Sequence, residues 1–477
     1  MAGSFKNGET KVRPGVYFRI EKGSGNELAG ARNGIVAVAF KANWGALNQV
    51  MTLESPDEIY GLYGDDGQSN SNVAVLEKIF KGGASVIKAV RVGSGGTKAA
   101  HTLKDTTGSP VDVVALTARY AGTRPLSVTI RDSLASPTTL RECIIYTGTK
   151  ILMQVEFAKG TSEVDALVAA INAVTNGVVT AAKVAAGNGT LAAITQVAFS
   201  TVGVSPTIAT ADYSGAFTAL EASKWGVLCV DTNDAAVHAL VKSYINRVND
   251  AGLLAFAVVG EPVSVAYATR RTNAAAFNSC NVVYCLNGGY DSSNVLHDGF
   301  NVAAVVAGML AALPSSDSPT HKQVPGLVSI AGALTNTEVQ ECLQSGALVL
   351  TMSASGVVWI EQGINTLVSP SADQDSGWKK IRRTKTRFEL ISRILESSES
   401  IIGSVNNDSN GRATFIAIAN GVGKAMIAEG KLQSCTVSED PNNPPSGDSA
   451  WFIIDVIDND SVEKVYVTYR FRFSASE

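Results

Sequence analysis

The sequence is poor in the residues from which most reactive sites are built. Its 477 residues include four histidines and six cysteines, and neither type clusters. The one close cysteine pair, Cys280 and Cys285, is a C-x4-C lacking the second pair that a structural zinc site needs. No two histidines stand at ligand spacing, so no metal is expected. Cys229 and Cys285 lie inside apolar, strand-like runs and read as core thiols of a protein kept in a reducing compartment. Charge is scarce too. Charged residues make up 17% of the chain and the net charge is −4, which offers no global electrostatic argument for a nucleic acid or a membrane surface. Long apolar runs are missing. The longest, "FNVAAVVAGMLAALP" (300–314), falls short of the about 18 residues a membrane helix needs and reads as a buried helix, so no direct membrane insertion is expected. "MAGSFKNGETKVRPG" has no apolar h-region, and a cytoplasmic protein without a secretory signal is expected.

Catalytic and nucleotide motifs are lacking as well. In "EKGSGNELAG" the glycines stand at 23, 25 and 30, the third two positions late for a dinucleotide loop. In "NGVGKAM", Ala425 replaces the Ser/Thr of a phosphate loop and Ile418 its upstream glycine. No G-x-S-x-G occurs, so Ser–His–Asp chemistry has no nucleophile elbow. No cofactor is expected. Asp231, at the end of "WGVLCV", is where an α/β enzyme places a ligand-binding carboxylate. The plainer reading is that Asp231 to Asp234 caps the next helix. His238 and His297, both in helical stretches, read as packing or surface residues. Asp455 and Asp458 read as hairpin and turn chemistry.

What is present is a grammar of alternating elements. Four hundred and seventy-seven residues are too many for one core. "GIVAVAF" is a continuous apolar run, as in a strand covered on both faces. "SPDEIYGLYG" reads as a helix with Ser55 as N-cap and Pro56 at its first position. "SNVAVLEKIFKGG" and "SVIKAVRV" complete a βαβ order. The order resumes at "WGVLCV" and a helix through Val237, Leu240, Val241, Ile245 and Val248. "LLAFAVVG", "NVVYCL", a helix over 292–313, the capped helix "NTEVQECLQSG" and the strands "ALVLTM" and "VVWIEQ" follow. Between the halves, the Thr/Ala/Gly/Val-rich strands "LSVTIRD", "RECIIYT" and "KILMQVEF" and the helix "SEVDALVAAINAV" read as an insertion at a surface loop. The fold class is therefore α+β multidomain. It comprises an α/β core with a mixed sheet (26–93 and 216–368), an inserted β-rich domain (94–215) and an α+β C-terminal domain (369–477). That last domain holds two long helices, 377–403 and 411–429. Residues 1–25, around "VRPGVYFRI", read as an extended arm, since Pro14 bars a central strand.

Two stretches near the C-terminus raise questions of partnership. In "VEKVYVTYRFRFS", Val465, Val467, Tyr469, Phe471 and Phe473 alternate with polar residues, giving a strand with one apolar face. "WFIIDVI" and the turn "DNDS" predict a hairpin that covers about Val462 to Thr468 and leaves Tyr469 to Phe473 beyond its end. An unpaired edge is a template for association. In "WKKIRRTKTRFELISRI", six cations, Lys379, Lys380, Arg382, Arg383, Lys385 and Arg387, fall within nine residues. They read as a solvated helix face, a docking helix for an acidic protein surface, or a nucleic-acid contact. The last lacks interleaved aromatics beyond Trp378 and Phe388.

Four stretches in order, "RPGVYFRI", "ARYAGTRPLSVTI", "VVWIEQGINTLVS" and "WKKIRRTKTRFELISRI", make the chain resemble the sheath protein of contractile phage tails and of R-type bacteriocins. The family's second stretch usually runs to a Gly-Asn pair, where Arg124 and Pro125 stand here. The resemblance implies a structural subunit and no enzyme. It would stack in helical rings with copies of itself around an inner tail tube protein, bounded by baseplate and tail terminator or collar proteins, without nucleic acid. It would be assembled in a bacterial cytoplasm and released by lysis as an extracellular particle. The inserted domain would lie outermost and the C-terminal domain against the tube, so that Lys379, Lys380, Arg382, Arg383, Lys385 and Arg387 form a tube-facing basic helix. Arms from both ends would add strands to neighbouring subunits, through Val12, Pro14, Gly15, Val16, Tyr17 and Phe18 at one end and Tyr469, Phe471 and Phe473 at the other. The alternative class is an α/β enzyme or nucleotide-binding protein whose insertion is a lid.

Overall fold

The computed structural model describes residues 3–4, 17–18, 33–64, 71–372 and 374–472. The chain forms two compact units. One holds residues 32–388, 429–433 and 457–477, the other residues 1–31, 389–428 and 434–456.

The first unit is built on a seven-stranded sheet. Its order is Ala347–Leu348, Val282–Cys285, Phe256–Gly260, Val227–Val230, Ile35–Phe40, Val86–Arg91 and Val50–Leu53. All neighbours are parallel except the last pair. The continuous apolar run of Ile35–Phe40 follows from this position. Val36, Val38 and Phe40 face a core shared with helices Ala74–Gly82 and Phe300–Ala312. Ala37 and Ala39 face a second core with helices Thr210–Leu220 and Ala235–Asp250. A strand covered on both faces has no polar side to show. The 300–314 run is the buried helix its length implied, with residues 302–311 all buried. Among the described residues no helix is long and apolar enough to cross a membrane. Gly82 and Gly308 let two helices touch backbone to backbone, since a Cβ on either would run into the carbonyl of Val305 or Ile79.

Local signals were reliable at helix starts. Ser55 caps the turn Pro56–Glu58 by accepting from the Asp57 amide, and Thr335 and Glu338 form a reciprocal capping box. His297 departs from expectation. It sits in a two-residue strand, Leu296–His297, with its ring on Asp291 at 2.9 Å, and the helix begins only at Phe300.

The insertion is β-rich as its texture suggested. A four-stranded sheet (Lys150–Ala158, Leu140–Thr147, Ser127–Asp132, Ile194–Ala198) and a three-stranded one (Val179–Lys183, Asp112–Ala121, Lys98–Lys104) are both antiparallel. With helix Glu163–Asn172 they enclose a core that includes Leu116, Val128, Ile145, Leu167 and Ile171. The two connections to the α/β sheet pair with each other, Ser94 with Thr207 and Thr97 with Val204. Helix Thr210–Leu220 already packs on the sheet through Tyr213, Ala216 and Phe217.

The two long helices near the C-terminus are Ile381–Ser398 and Ser409–Ala428. The expected terminal hairpin does not form. Phe452–Asp458 pairs instead with Leu432–Glu439, and residues 459–472 form no strand. In "LQSCTVSE" only Leu432 and Val437 are buried, so it sends no apolar alternation that would mark it as a strand. At the other end, Tyr17–Phe18 pairs in parallel with Gly3–Ser4. Val12, Pro14, Gly15, Val16 and Phe473 lie outside the described residues.

Candidate assembly surface

The basic stretch and the C-terminal segment, separate puzzles in the sequence, meet in the first unit. Each of the six cations finds an acceptor there. Lys379 donates to the carbonyls of Leu343 (2.7 Å) and Gln344 (3.1 Å), the last turn of helix Asn336–Gln344. Lys385 does the same for Leu310 (2.6 Å) and Leu313 at the end of Phe300–Ala312. Both lysines thus supply charge and donors where a helix leaves carbonyls unsatisfied. Burial holds the Lys379 amine below its ordinary pKa.

The other four grip the start of the C-terminal segment. Arg383 holds Asp458 with two parallel bonds, Nε to Oδ2 at 3.0 Å and Nη2 to Oδ1 at 2.6 Å. Such a fork is the strong form of a carboxylate contact. Arg387 adds Nε to Asp458 at 3.2 Å, reaches Asp375 at 3.4 Å and lies 4.3 Å from the Trp378 ring centroid. Arg382 donates to the carbonyls of Ser316 (2.6 Å) and Asn459 (2.7 Å). Lys380 lies between Asp460 (2.9 Å) and Glu463 (3.0 Å).

The carboxylates respond. Burial alone would raise Asp458, but the Arg383 hydrogen bonds and the Arg387 and Arg383 charges hold it below the usual carboxylate range. For Glu463, burial is likewise outweighed by Gln362 and Lys380. The charge that suggested a docking face is therefore largely compensated inside the chain.

After Glu463 these contacts stop. Among the described residues none hydrogen-bonds to 464–472. Val465, Val467, Tyr469 and Phe471 are all exposed, Phe471 at 85%. An alternating apolar row left in solvent is the pattern that a neighbouring strand can cover.

At the position where an enzyme of this topology binds its ligand, the carboxylate singled out in the sequence is engaged within the chain. Ile35–Phe40 lies between the next parallel strand of the chain, Val86–Arg91, and the one reached after the insertion, Val227–Val230. The strand order reverses there, and the crevice at the carboxyl ends is the usual ligand site. Asp231 stands there. Its carboxylate accepts from Tyr213 Oη (2.6 Å), the Lys41 amide (2.9 Å) and Asn72 Nδ2 (3.0 Å). Helix capping falls to Asp234 alone, which accepts from the Ala236 amide at 2.8 Å. Burial raises the Asp231 pKa despite those donors. His238 is buried against the Thr232 carbonyl at 3.0 Å. Among the described residues no group of three His, Cys, Asp or Glu could hold a metal ion.

Asp231→Leu is expected to cost about 3 kcal/mol, because it strands buried donors. Asp231→Asn keeps an acceptor and should be close to neutral at pH 5. Folding raises this pKa, so ionisation costs stability as pH rises above the unfolded value of about 3.9. The asparagine variant should therefore gain on wild type toward pH 8. Denaturant melts of both variants across that range check the order. A leucine variant as stable as wild type would mean the carboxylate contributes nothing.

Comparison with known proteins matches the two halves of the α/β sheet on either side of the insertion. A family model for the phage tail sheath protein central domain matches residues 207–366. Another, for the tail sheath protein Gp18 domain III N-terminal region, matches residues 33–92. Protein YqbK of Bacillus subtilis (strain 168) is 21% identical over 434 residues, 85% of this chain and 80% of that one. The crystal structure of a sheath tail protein from Desulfitobacterium hafniense aligns at a TM-score of 0.68 with 18% identity, over 93% of this chain and all of the other. The sheath complex of an extracellular contractile injection system in its contracted state aligns at 0.53 with 10% identity, over 97% and 98%. At such identities the structural likeness is one of fold.

Proposed function

We propose that this chain, a contractile tail sheath protein by the family of its two matched regions, polymerises helically around an inner tube and contracts to drive that tube through a target envelope. The observation that carries the reading is the C-terminal segment. It is clamped by charge up to Glu463 and then runs on as an exposed segment of alternating apolar residues with no partner among the described residues. A free monomer has no use for such a segment. A polymer does, because a neighbour can supply the missing ladder. The hairpin Leu432–Glu439 with Phe452–Asp458 is a sheet of two strands, so each strand keeps an unpaired edge.

In this reading Tyr469, Phe471 and Phe473 contact one neighbour, and Val12, Pro14, Gly15, Val16, Tyr17 and Phe18 another. Each link is modest. A few main-chain bonds at about 0.5–1.5 kcal/mol and one or two buried aromatics at about 1.5–3 kcal/mol offset the cost of ordering the segment. Strength comes from repetition along the polymer. The partners are further copies of the chain, a tube protein, a baseplate and a terminator or collar. The role is structural and not enzymatic, and it needs no cofactor. Assembly takes place in a bacterial cytoplasm, and the finished particle acts outside it. The stretch from Lys379 to Arg387 lies toward the tube with Arg382 buried and the other five cations partly exposed, the charges of Lys380, Arg383 and Arg387 being already paired within the chain.

Negative-stain imaging of the purified full chain at rising concentration tests the reading. Open-ended helical tubes are expected. A monomer or a small closed ring at every concentration would refute it.

A further inference from the structure

We propose that Glu463 is the positioning residue of the C-terminal arm, the last fixed point from which the donated strand departs. The inference rests on the strand-donation reading above and says how the donor is aimed. Glu463 is anomalous within its own stretch. Its side chain is 7% exposed, while Val462 before it and Val465 after it are 85% and 73% exposed. One carboxylate gathers Lys380 Nζ (3.0 Å), Gln362 Nε2 (3.0 Å), Thr320 Oγ1 (2.9 Å) and, at 3.3 Å, the hydroxyls of Ser318 and Ser461. Its acceptor sites are thus filled from three chain segments far apart in sequence.

The backbone upstream is tied as well. The Asn459 amide donates to Lys431 at 3.0 Å and its side chain to Gly430 at 2.9 Å. Downstream the ties end. A carboxylate anchor suits this place better than a strand pairing would, because it holds the chain by one side chain and leaves the following main-chain donors and acceptors free for a neighbour. It also shortens the loose tail by the distance from Asp458 to Glu463. A shorter tether from a fixed root raises the effective concentration of the strand at the acceptor and limits the directions it samples.

Tube formation and amide exchange in the non-assembled protein are read in parallel for Glu463→Ala, Glu463→Gln and an insertion of two glycines after Glu463. The alanine variant is expected to exchange about tenfold faster over 459–463 and to need about tenfold more protein to form tubes. The glutamine variant, keeping an acceptor for Thr320 and Ser318, should fall between it and wild type. The glycine insertion should leave exchange at 459–463 unchanged and still weaken assembly, which separates aim from folding. Wild-type assembly by the alanine variant, or unchanged exchange at its root, overturns the positioning role. Tubes formed by a chain cut after Glu463 would instead overturn strand donation itself, so the two failures are distinguishable.

Discussion

Removing residues 464–477 should leave a folded protein that forms no tubes. The fold is spared because the described part of this segment makes no hydrogen bond to the rest of the chain, and its large side chains lie in solvent. The clamp of Asp458, Asp460 and Glu463 on the basic stretch stays intact. Assembly is lost because each subunit then has no strand to donate. A link of a few kcal/mol per subunit is enough to hold a lattice when every subunit makes it and too weak to be replaced by chance contacts. The thermal midpoint of the truncated protein is expected to match wild type, with sedimentation showing monomer where the full chain pellets as polymer. Ordinary contractile tubes from the truncated chain would refute arm exchange. A lowered midpoint would show that the segment stabilises its own subunit.

Replacing Arg91 by leucine should loosen the insertion from the sheet and cost about 3–5 kcal/mol of stability. Arg91 ends the strand Val86–Arg91 and is fully buried. Its Nε donates to the Ala42 carbonyl at 2.9 Å. Its Nη1 donates to Gly45 at 2.7 Å and to Ala121 at 2.9 Å, the last being the final residue of an insertion strand. Burial pulls its pKa down to about 10, which still leaves it a cation at neutral pH. Leucine would strand the buried carbonyls of Ala42 and Gly45 and the partly buried one of Ala121, each worth about 1–3 kcal/mol and not fully additive. Arg124 makes the same junction from the other side. It donates to the carbonyls of Tyr60 (3.1 Å) and Gly61 (3.2 Å) and lies 5.5 Å from the Trp44 ring centroid. Two buried arginines make a fixed mount, where a lid would need a hinge. Denaturation midpoints and proteolysis at the crossings 92–97 and 204–210 test the claim. If Arg91→Leu melts and resists protease like wild type, the mount does not depend on this side chain.

The two predictions mark different kinds of legibility. The alternation of residues 464–472 was readable because it is local, and Val465, Val467, Tyr469 and Phe471 are all exposed, but the hairpin expected to pair Val462 to Thr468 does not form. Glu463 was not readable. A single glutamate in an alternating stretch looks like any solvent-facing residue, and its partners Thr320, Gln362 and Lys380 lie far away in sequence. The basic stretch shows the same limit. Six cations in nine residues announce themselves, but whether they face solvent or the carbonyls of Leu310, Leu343 and Asn459 depends on chain ends brought together only by folding.

The sequence by itself determined the α/β order of the core, the β character of the insertion, the helix cap at Ser55, and the apolar alternation of the last segment. All of these rest on periodicity, turn chemistry or capping within a few residues. Only the tertiary structure decided that Phe452–Asp458 pairs with Leu432–Glu439, that the Asp231 carboxylate is buried against Tyr213 at the strand-order reversal, and that the cationic stretch holds residues 458–463. The reason is physical. A strand's partner, a buried carboxylate's donors and a cation's counter-charge are set by contacts across long loops, and a one-dimensional pattern carries the need for a partner without naming it.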